Sequence, residues 1–122
     1  MNKFRFLPCL LRNYATIDIL TNMSRREIII TPILVNRITV SKVVIDSHYE
    51  EKHSDYMDDG LIVDLVKKLD GRIETPQEVD EEYSYFATLV NYEQKQYRLI
   101  WLLEDGAIYI GVLNAYRDDR KE

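Results

Sequence analysis

Three β-rich segments follow one another in the C-terminal third of the chain with almost nothing between them. Residues 83–92 are aromatic and β-branched, residues 96–103 read Gln-Tyr-Arg-Leu-Ile-Trp-Leu-Leu, and residues 107–116 carry further Ile, Val, Leu and Tyr. Only Glu93-Gln94-Lys95 and Glu104-Asp105-Gly106 are left to connect them. Links this short require antiparallel neighbours, since a parallel pair needs a crossover of a dozen or more residues. A three-stranded antiparallel meander is therefore expected. Residues 99–103 are apolar throughout, as suits a central strand covered on both faces.

The cover for such a sheet is legible upstream. Leu61, Ile62, Leu65, Val66 and Leu69 fall at i, i+1, i+4, i+5 and i+8, one apolar stripe of a helix. Asp58 and Asp59 favour its N-terminus and Lys67 and Lys68 its C-terminus, and Gly71 suits a left-handed stop. A shorter helix is expected over residues 48–56, opened by Ser47 and Glu50 in capping-box spacing and broken near 57–60 by Gly60. Before it, residues 27–35 and 38–45 read as strands joined by a tight turn at Asn36-Arg37, with Pro32 arguing for an edge position or a bulge in the first. Residues 16–20 read as a strand or the tail of a short helix, and 22–26 as a turn. Residues 72–82 read as an acidic connection, and 117–122 as a frayed tail. The sum is one α+β domain over residues 1–122: N-terminal strands, a central helical segment and a C-terminal three-stranded antiparallel meander forming a curved sheet.

Composition narrows what such a domain does. At 46% hydrophobic and 30% charged residues the chain is not of the disordered class. The lone Cys9 cannot close an internal disulfide and reads as a small buried hydrophobe. No apolar run approaches the ~20 residues of a membrane span. The apolar patch at 6–11 contains Pro8 and is too short for a secretory signal, so a cytoplasmic location is expected. The net charge of −5 is unevenly distributed: +5 over residues 1–45, −9 over 46–82 and −1 over 83–122. Bulk electrostatic capture of nucleic acid needs a basic protein, and this chain is not one, although a fold can gather the N-terminal charge on one face.

Both histidines of the chain, His48 and His53, lie in the stretch His-Tyr-Glu-Glu-Lys-His. Five residues apart on a helix, their rings diverge, which does not suit the four-residue spacing of a zinc site, and no cysteine pair supplements them. No calcium loop, phosphate loop, dinucleotide fingerprint or nucleophile elbow is present. Metal-independent RNA cleavage needs a base for the 2′-hydroxyl, a cation for the phosphate and an acid for the leaving oxygen. His48 or His53 with Lys52 supplies two of these locally. Arg98, Asn114, Tyr116 and Arg117, on or just after late strands, offer the rest, Arg117 as a phosphate clamp. The plainer alternatives are solvated histidines on a charged helix face, a solvent-facing Arg98 and tyrosines used for packing rather than base stacking. On a regular strand Asn114 and Tyr116 share a face with Val112.

The stretch His48–Lys52–His53, the apolar helix ending in Leu-Asp-Gly, Arg98-Leu-Ile-Trp-Leu-Leu and Tyr109-Ile-Gly-Val-Leu-Asn-Ala-Tyr-Arg together resemble the barnase–EndoU–colicin–RelE superfamily of small toxin nucleases, over residues 42–117. The resemblance leaves 1–41 as an N-terminal extension. It implies a helical segment before a curved antiparallel sheet, with the active site across the sheet face beside the helix. It implies a metal- and cofactor-free endoribonuclease in which His48, Lys52, His53, Arg98, Asn114 and Arg117 carry the chemistry, and a cognate antitoxin or immunity protein as partner. The acidic balance departs from the basic habit of ribosome-dependent toxins and fits a small RNA such as tRNA better. The competing expectation is a non-enzymatic acidic module (an antitoxin, immunity protein or inhibitor) whose 46–82 region covers a basic partner.

Overall fold

The computed structural model describes residues 25–120, apart from the side chain of His48. Residues 1–24, with Cys9, the expected element at 16–20 and part of the basic N-terminal segment, lie outside the described residues. Strands β1 (Arg25–Val35), β2 (Ile38–Asp46), β3 (Glu78–Val79), β4 (Tyr83–Tyr92), β5 (Lys95–Glu104) and β6 (Tyr109–Arg117) form one mixed sheet in the order β1-β2-β6-β5-β4-β3. A 3₁₀ turn at Ser47–Tyr49 leads into the short helix α1 (Glu50–His53), and α2 (Asp59–Lys67) follows. The architecture is α+β and mostly sheet.

The meander β4-β5-β6 is antiparallel throughout. Its first turn is tighter than the sequence suggests. Glu93 and Gln94 alone make it, both at positive φ, and Tyr92 pairs with Lys95. Asn36 and Arg37 turn in the same way between Val35 and Ile38. Two left-handed residues in a row match the twist of the strands they join. Pro32 lies within the register shift between Ile29 and Ile33 on edge strand β1, where its missing N–H is tolerated. The β1–β2 hairpin joins the same sheet through a parallel pairing of Lys42–Ile45 with Tyr109–Val112. The helical segment between β2 and β4 is long enough to serve as the crossover that a parallel pair demands.

The central segment differs from expectation in three places. The first helix is one turn rather than the whole of 48–56, and its N-cap is Tyr49, with no side-chain cap bond, rather than Ser47. Gly60 sits inside the first turn of α2 instead of breaking the chain. The start of α2 is set by Asp58, in extended conformation, whose carboxylate accepts the Leu61 N–H at 2.8 Å. Residues 25 and 26 belong to β1 rather than to a turn, and the acidic connection contains β3, which pairs with Ser84 and Tyr85.

Two apolar clusters sit on opposite faces of the sheet. On one, Ile62, Leu65, Val66 and Leu69 pack fully buried with Val43, Ile45, Leu99, Trp101 and Leu103, while Leu61 is partly buried at the margin. Trp101 stacks on Phe86 at 3.9 Å and donates its indole N–H to the Thr88 hydroxyl. The opposite face carries Tyr83, Tyr85, Ile100, Leu102 and Leu113. Gly111 lets Leu102 lie close there: a Cβ would come within 2.9 Å of the Leu102 side chain, which would have to shift. Tyrosine serves packing with a satisfied hydroxyl: Tyr49 donates to Asp59, Tyr85 to Asp80, Tyr92 to Asp64 and Tyr109 to Glu104. Burial, and then the neighbouring carboxylate, pushes the Tyr49, Tyr85 and Tyr109 phenols far above their ordinary range, so they remain protonated donors.

Polar contacts fasten the edges. Arg26 on β1 ion-pairs with both Glu50 of α1 and Asp59 of α2. Gly71 donates its N–H to Leu34 O at 2.7 Å, Asp70 accepts the Leu34 N–H, and Asn36 makes a reciprocal pair with the Glu74 backbone. These bonds occupy part of the β1 edge that would otherwise be open to another strand.

Leu65→Ala should cost on the order of 2–5 kcal/mol, the usual range for emptying a buried leucine site. An unchanged urea midpoint would place α2 outside the core. Gly71 stands at φ +83°, and a methyl group on its Cα would meet nothing within 4 Å. Gly71→Ala should therefore destabilise by roughly 1 kcal/mol through backbone strain alone, readable by the same denaturation measurement.

Candidate functional site

Strand β2 ends at Asp46, whereas β6, its parallel neighbour, runs on to Arg117. Residues 114–117 of β6 therefore have a strand partner on the β5 side only. The 3₁₀ turn packs into the vacant place beside them. This brings the end of α1 to the end of β6. The His53 ring stacks on Tyr116, with centroids 5.3 Å apart and planes at 24°. The Tyr56 hydroxyl lies 3.1 Å from His53 Nδ1 and accepts the Arg117 backbone N–H at 3.0 Å. A side chain thus satisfies a strand-edge donor that β2 leaves behind.

Which faces the late-strand residues take is decided by a bulge. Ile100 pairs with Asn114 but Trp101 with Val112, so β6 carries one extra residue at this point. Val112 and Ala115 face the helices, and Leu113 and Tyr116 face away. Asn114, opposite Ile100, joins Tyr116 on the far face, so it does not share the face of Val112 as a regular strand would require. Arg98, directly opposite Tyr116, points the same way.

The six residues singled out from the sequence fare differently. His53 stacks on Tyr116, and Arg98 is the strand partner of Tyr116 on the same face. Asn114 is close in sequence and on that face, but it is buried and its Oδ1 accepts the Ala115 N–H at 2.9 Å, which gives it a role in closing the bulge. Arg117 lies over the Tyr97 ring at 5.9 Å, toward the helix side, and pairs with Asp119. Only its backbone joins the His53 group. Lys52 is exposed on α1, and the His48 side chain lies outside what the structure describes.

Arg98 is not the solvent-facing residue that strand alternation allows: its side chain is 15% exposed and its Nε donates to Asp118 at 3.1 Å. Asp118 also accepts from the Arg120 guanidinium and backbone N–H. Together with the Asp118 N–H bond to Gln96 O, this fastens residues 118–120 onto β5, where a frayed tail was expected. Asp118 is hidden in the sequence because a charged C-terminus looks solvated. Tyr56 leaves a fainter signal: it follows His53 by three residues, the spacing of neighbours on one helix face.

Two concavities lie elsewhere. One, of about 260 Å³, opens on the far face among Arg25, Lys42, Tyr83, Leu102, Tyr109 and Leu113. The other is a shallow groove at the opposite end, among Pro76, Val79, Asp80, Glu81, Glu82 and Asp105. Neither contains His53. Among the described residues no group of three or more His, Cys, Asp or Glu side chains is arranged to hold a metal ion, and no helix is long and apolar enough to cross a membrane.

The Arg120 guanidinium first, then its backbone N–H, and finally Arg98 hold the Asp118 carboxyl well below the usual carboxylate range, against the opposing effect of burial. A carboxylate whose folded pKa lies below its unfolded value near ~4 contributes fully above that value and loses its contribution as pH falls toward the folded one. Asp118→Asn should therefore lower Tm at neutral pH, and the gap to the parent should close on acidification below about pH 4. A gap that persists unchanged into strong acid would show that the carboxylate charge is not what fastens the tail.

Comparison of the chain with protein-family models, with curated proteins and with solved structures finds no match in any of the three.

Proposed function

We propose that the chain is a metal-independent endoribonuclease of toxin type, with its reaction centre at the end of the sheet's far face. One observation carries this reading: His53 is stacked on Tyr116 directly across from Arg98, at an edge where the backbone is held by Tyr56. A histidine fixed by ring stacking on a tyrosine, with an arginine as that tyrosine's strand partner, supplies the two kinds of group that phosphodiester transfer calls for. The RNA 2′-oxygen attacks the adjacent phosphorus and forms the P–O2′ bond. The P–O5′ bond breaks, the 2′-proton passes to a base and the 5′-oxygen receives a proton. The products are a 2′,3′-cyclic phosphate and a 5′-hydroxyl, and the reaction needs no oxidant, metal or cofactor. Arg98 balances charge on the phosphoryl oxygens, and Tyr116 offers a ring beside the histidine. His48, in the 3₁₀ turn, and Lys52, on α1, are the remaining proton carriers. A small RNA such as tRNA is the substrate that suits an acidic protein, and a protein that covers this end of the sheet is the partner that suits a toxin.

A second reading has its own observation. Arg98 and Arg120 close on Asp118 and Arg117 closes on Asp119, so three cations at this end already face carboxylates. Exposed Glu81, Glu82 and Asp105 border the groove at the other end. These features fit a non-enzymatic acidic module that covers a basic partner.

The purified protein should cut tRNA or total RNA in the presence of a chelator, leave DNA intact and yield 2′,3′-cyclic phosphate ends. His53→Ala should slow cleavage ~10²–10⁴-fold, the weight of a positioned proton-transfer group. Arg98→Ala should slow it by a comparable order through lost charge stabilisation. Absence of cleavage by folded protein, or a His53→Ala variant as active as the parent, would transfer the case to the binding module.

A further inference from the structure

The Tyr56 hydroxyl stands between two groups. The Arg117 backbone N–H, 3.0 Å away, can only donate to it, and His53 Nδ1 lies 3.1 Å away. A phenol carries one proton, and of these two neighbours only Nδ1 can take it. If Nδ1 were protonated instead, the hydroxyl would accept from both sides and its own proton would be left without an acceptor in this pair. We infer that Tyr56 is a positioning residue that holds the neutral His53 imidazole in its Nε2–H tautomer, with Nδ1 committed to the phenol. The ring is constrained twice more, by its stack on Tyr116 and by the edge contact with Tyr56 at 5.9 Å and 64°. The hydrogen bond thus selects which nitrogen works and the stacking selects where it points.

For the ribonuclease reading on which it builds, this has a definite consequence. A neutral imidazole with its proton on Nε2 meets the phosphate as a hydrogen-bond donor and cannot, in that state, take the 2′-proton through the same nitrogen. His53 therefore serves the phosphoryl or leaving oxygen, and a different group acts as the base. Tyr56 touches neither substrate nor reacting atom; it acts through His53. Its position also explains why a 40%-exposed tyrosine is tied by its hydroxyl to a strand edge.

The test reads the tautomer directly. In ¹⁵N-labelled protein above the histidine titration, long-range ¹H–¹⁵N correlation should show a protonated Nε2 and a lone-pair Nδ1 for His53. In Tyr56→Phe, which keeps the ring but removes the hydroxyl, both nitrogen resonances should move toward the average of the two tautomers. An Nδ1–H tautomer in the parent, or identical His53 nitrogen shifts in parent and variant, would overturn the inference. Cleavage measured on the same samples separates the two claims. A tautomer change in protein that never cuts RNA removes the ribonuclease and leaves the positioning intact. Cleavage that depends on His53 but a tautomer indifferent to Tyr56 does the reverse.

Discussion

The parallel pairing of β2 with β6 spans only Lys42–Ile45 against Tyr109–Val112, and the rest of the molecule is arranged around that short overlap. Parallel neighbours cannot be joined by a hairpin, so the chain between them must cross one face of the sheet. That crossover carries α1 and α2, and the stripe Ile62, Leu65, Val66 and Leu69 becomes the cover for Leu99, Trp101 and Leu103. The same overlap leaves the end of β6 without a strand partner on the β2 side. A strand edge with unpaired backbone groups must be satisfied somehow; here the Tyr56 hydroxyl takes the Arg117 N–H, and the 3₁₀ turn packs alongside. The candidate site is thus a by-product of the topology: histidine arrives at the sheet end because the crossover begins there.

Much of this was legible in the sequence, for physical reasons that can be named. Short connections dictate the antiparallel meander, and two-residue turns can be placed wherever two apolar runs almost touch. The helix stripe is readable because its apolar period matches 3.6 residues, and Gly71 because only glycine takes φ near +83° without cost. Pro32 marks the edge strand for the reason that it cannot donate to a neighbour. What escapes is non-local. Nothing in residues 38–46 or 109–117 announces that they will lie side by side and parallel, since both carry β-branched residues that suit any buried strand. The bulge at β6 has no glycine signature, and it alone turns Asn114 and Tyr116 away from the helices.

The site was legible in part. The stretch that holds both histidines and Lys52 meets the late strands at one end of the sheet. There His53 stacks on Tyr116, the strand partner of Arg98. Arg117 and Asn114 are reasonable candidates by residue type, yet strand alternation and a local backbone bond divert them. Tyr56 and Asp118 are the residues that the sequence hides. One looks like an exposed aromatic after a short helix, the other like a solvated tail, and each is placed by a partner far along the chain: Arg117 for the first, Arg98 for the second.

The acidic balance of the chain sets the scale of any nucleic-acid affinity. With Arg98 held by Asp118, phosphate binding exchanges one anion for another rather than filling a bare cationic site, so affinity rests on geometry and stacking more than on bulk charge. The most direct measurement is a residue-resolved titration with an RNA oligonucleotide made uncleavable by a single 2′-deoxy substitution, followed by NMR chemical shifts of the ¹⁵N-labelled protein. The account predicts that the largest changes fall on His53, Tyr56, Arg98 and Tyr116 together. Changes confined to the groove around Glu81, Glu82 and Asp105, or no change at His53 at saturating RNA, would contradict it.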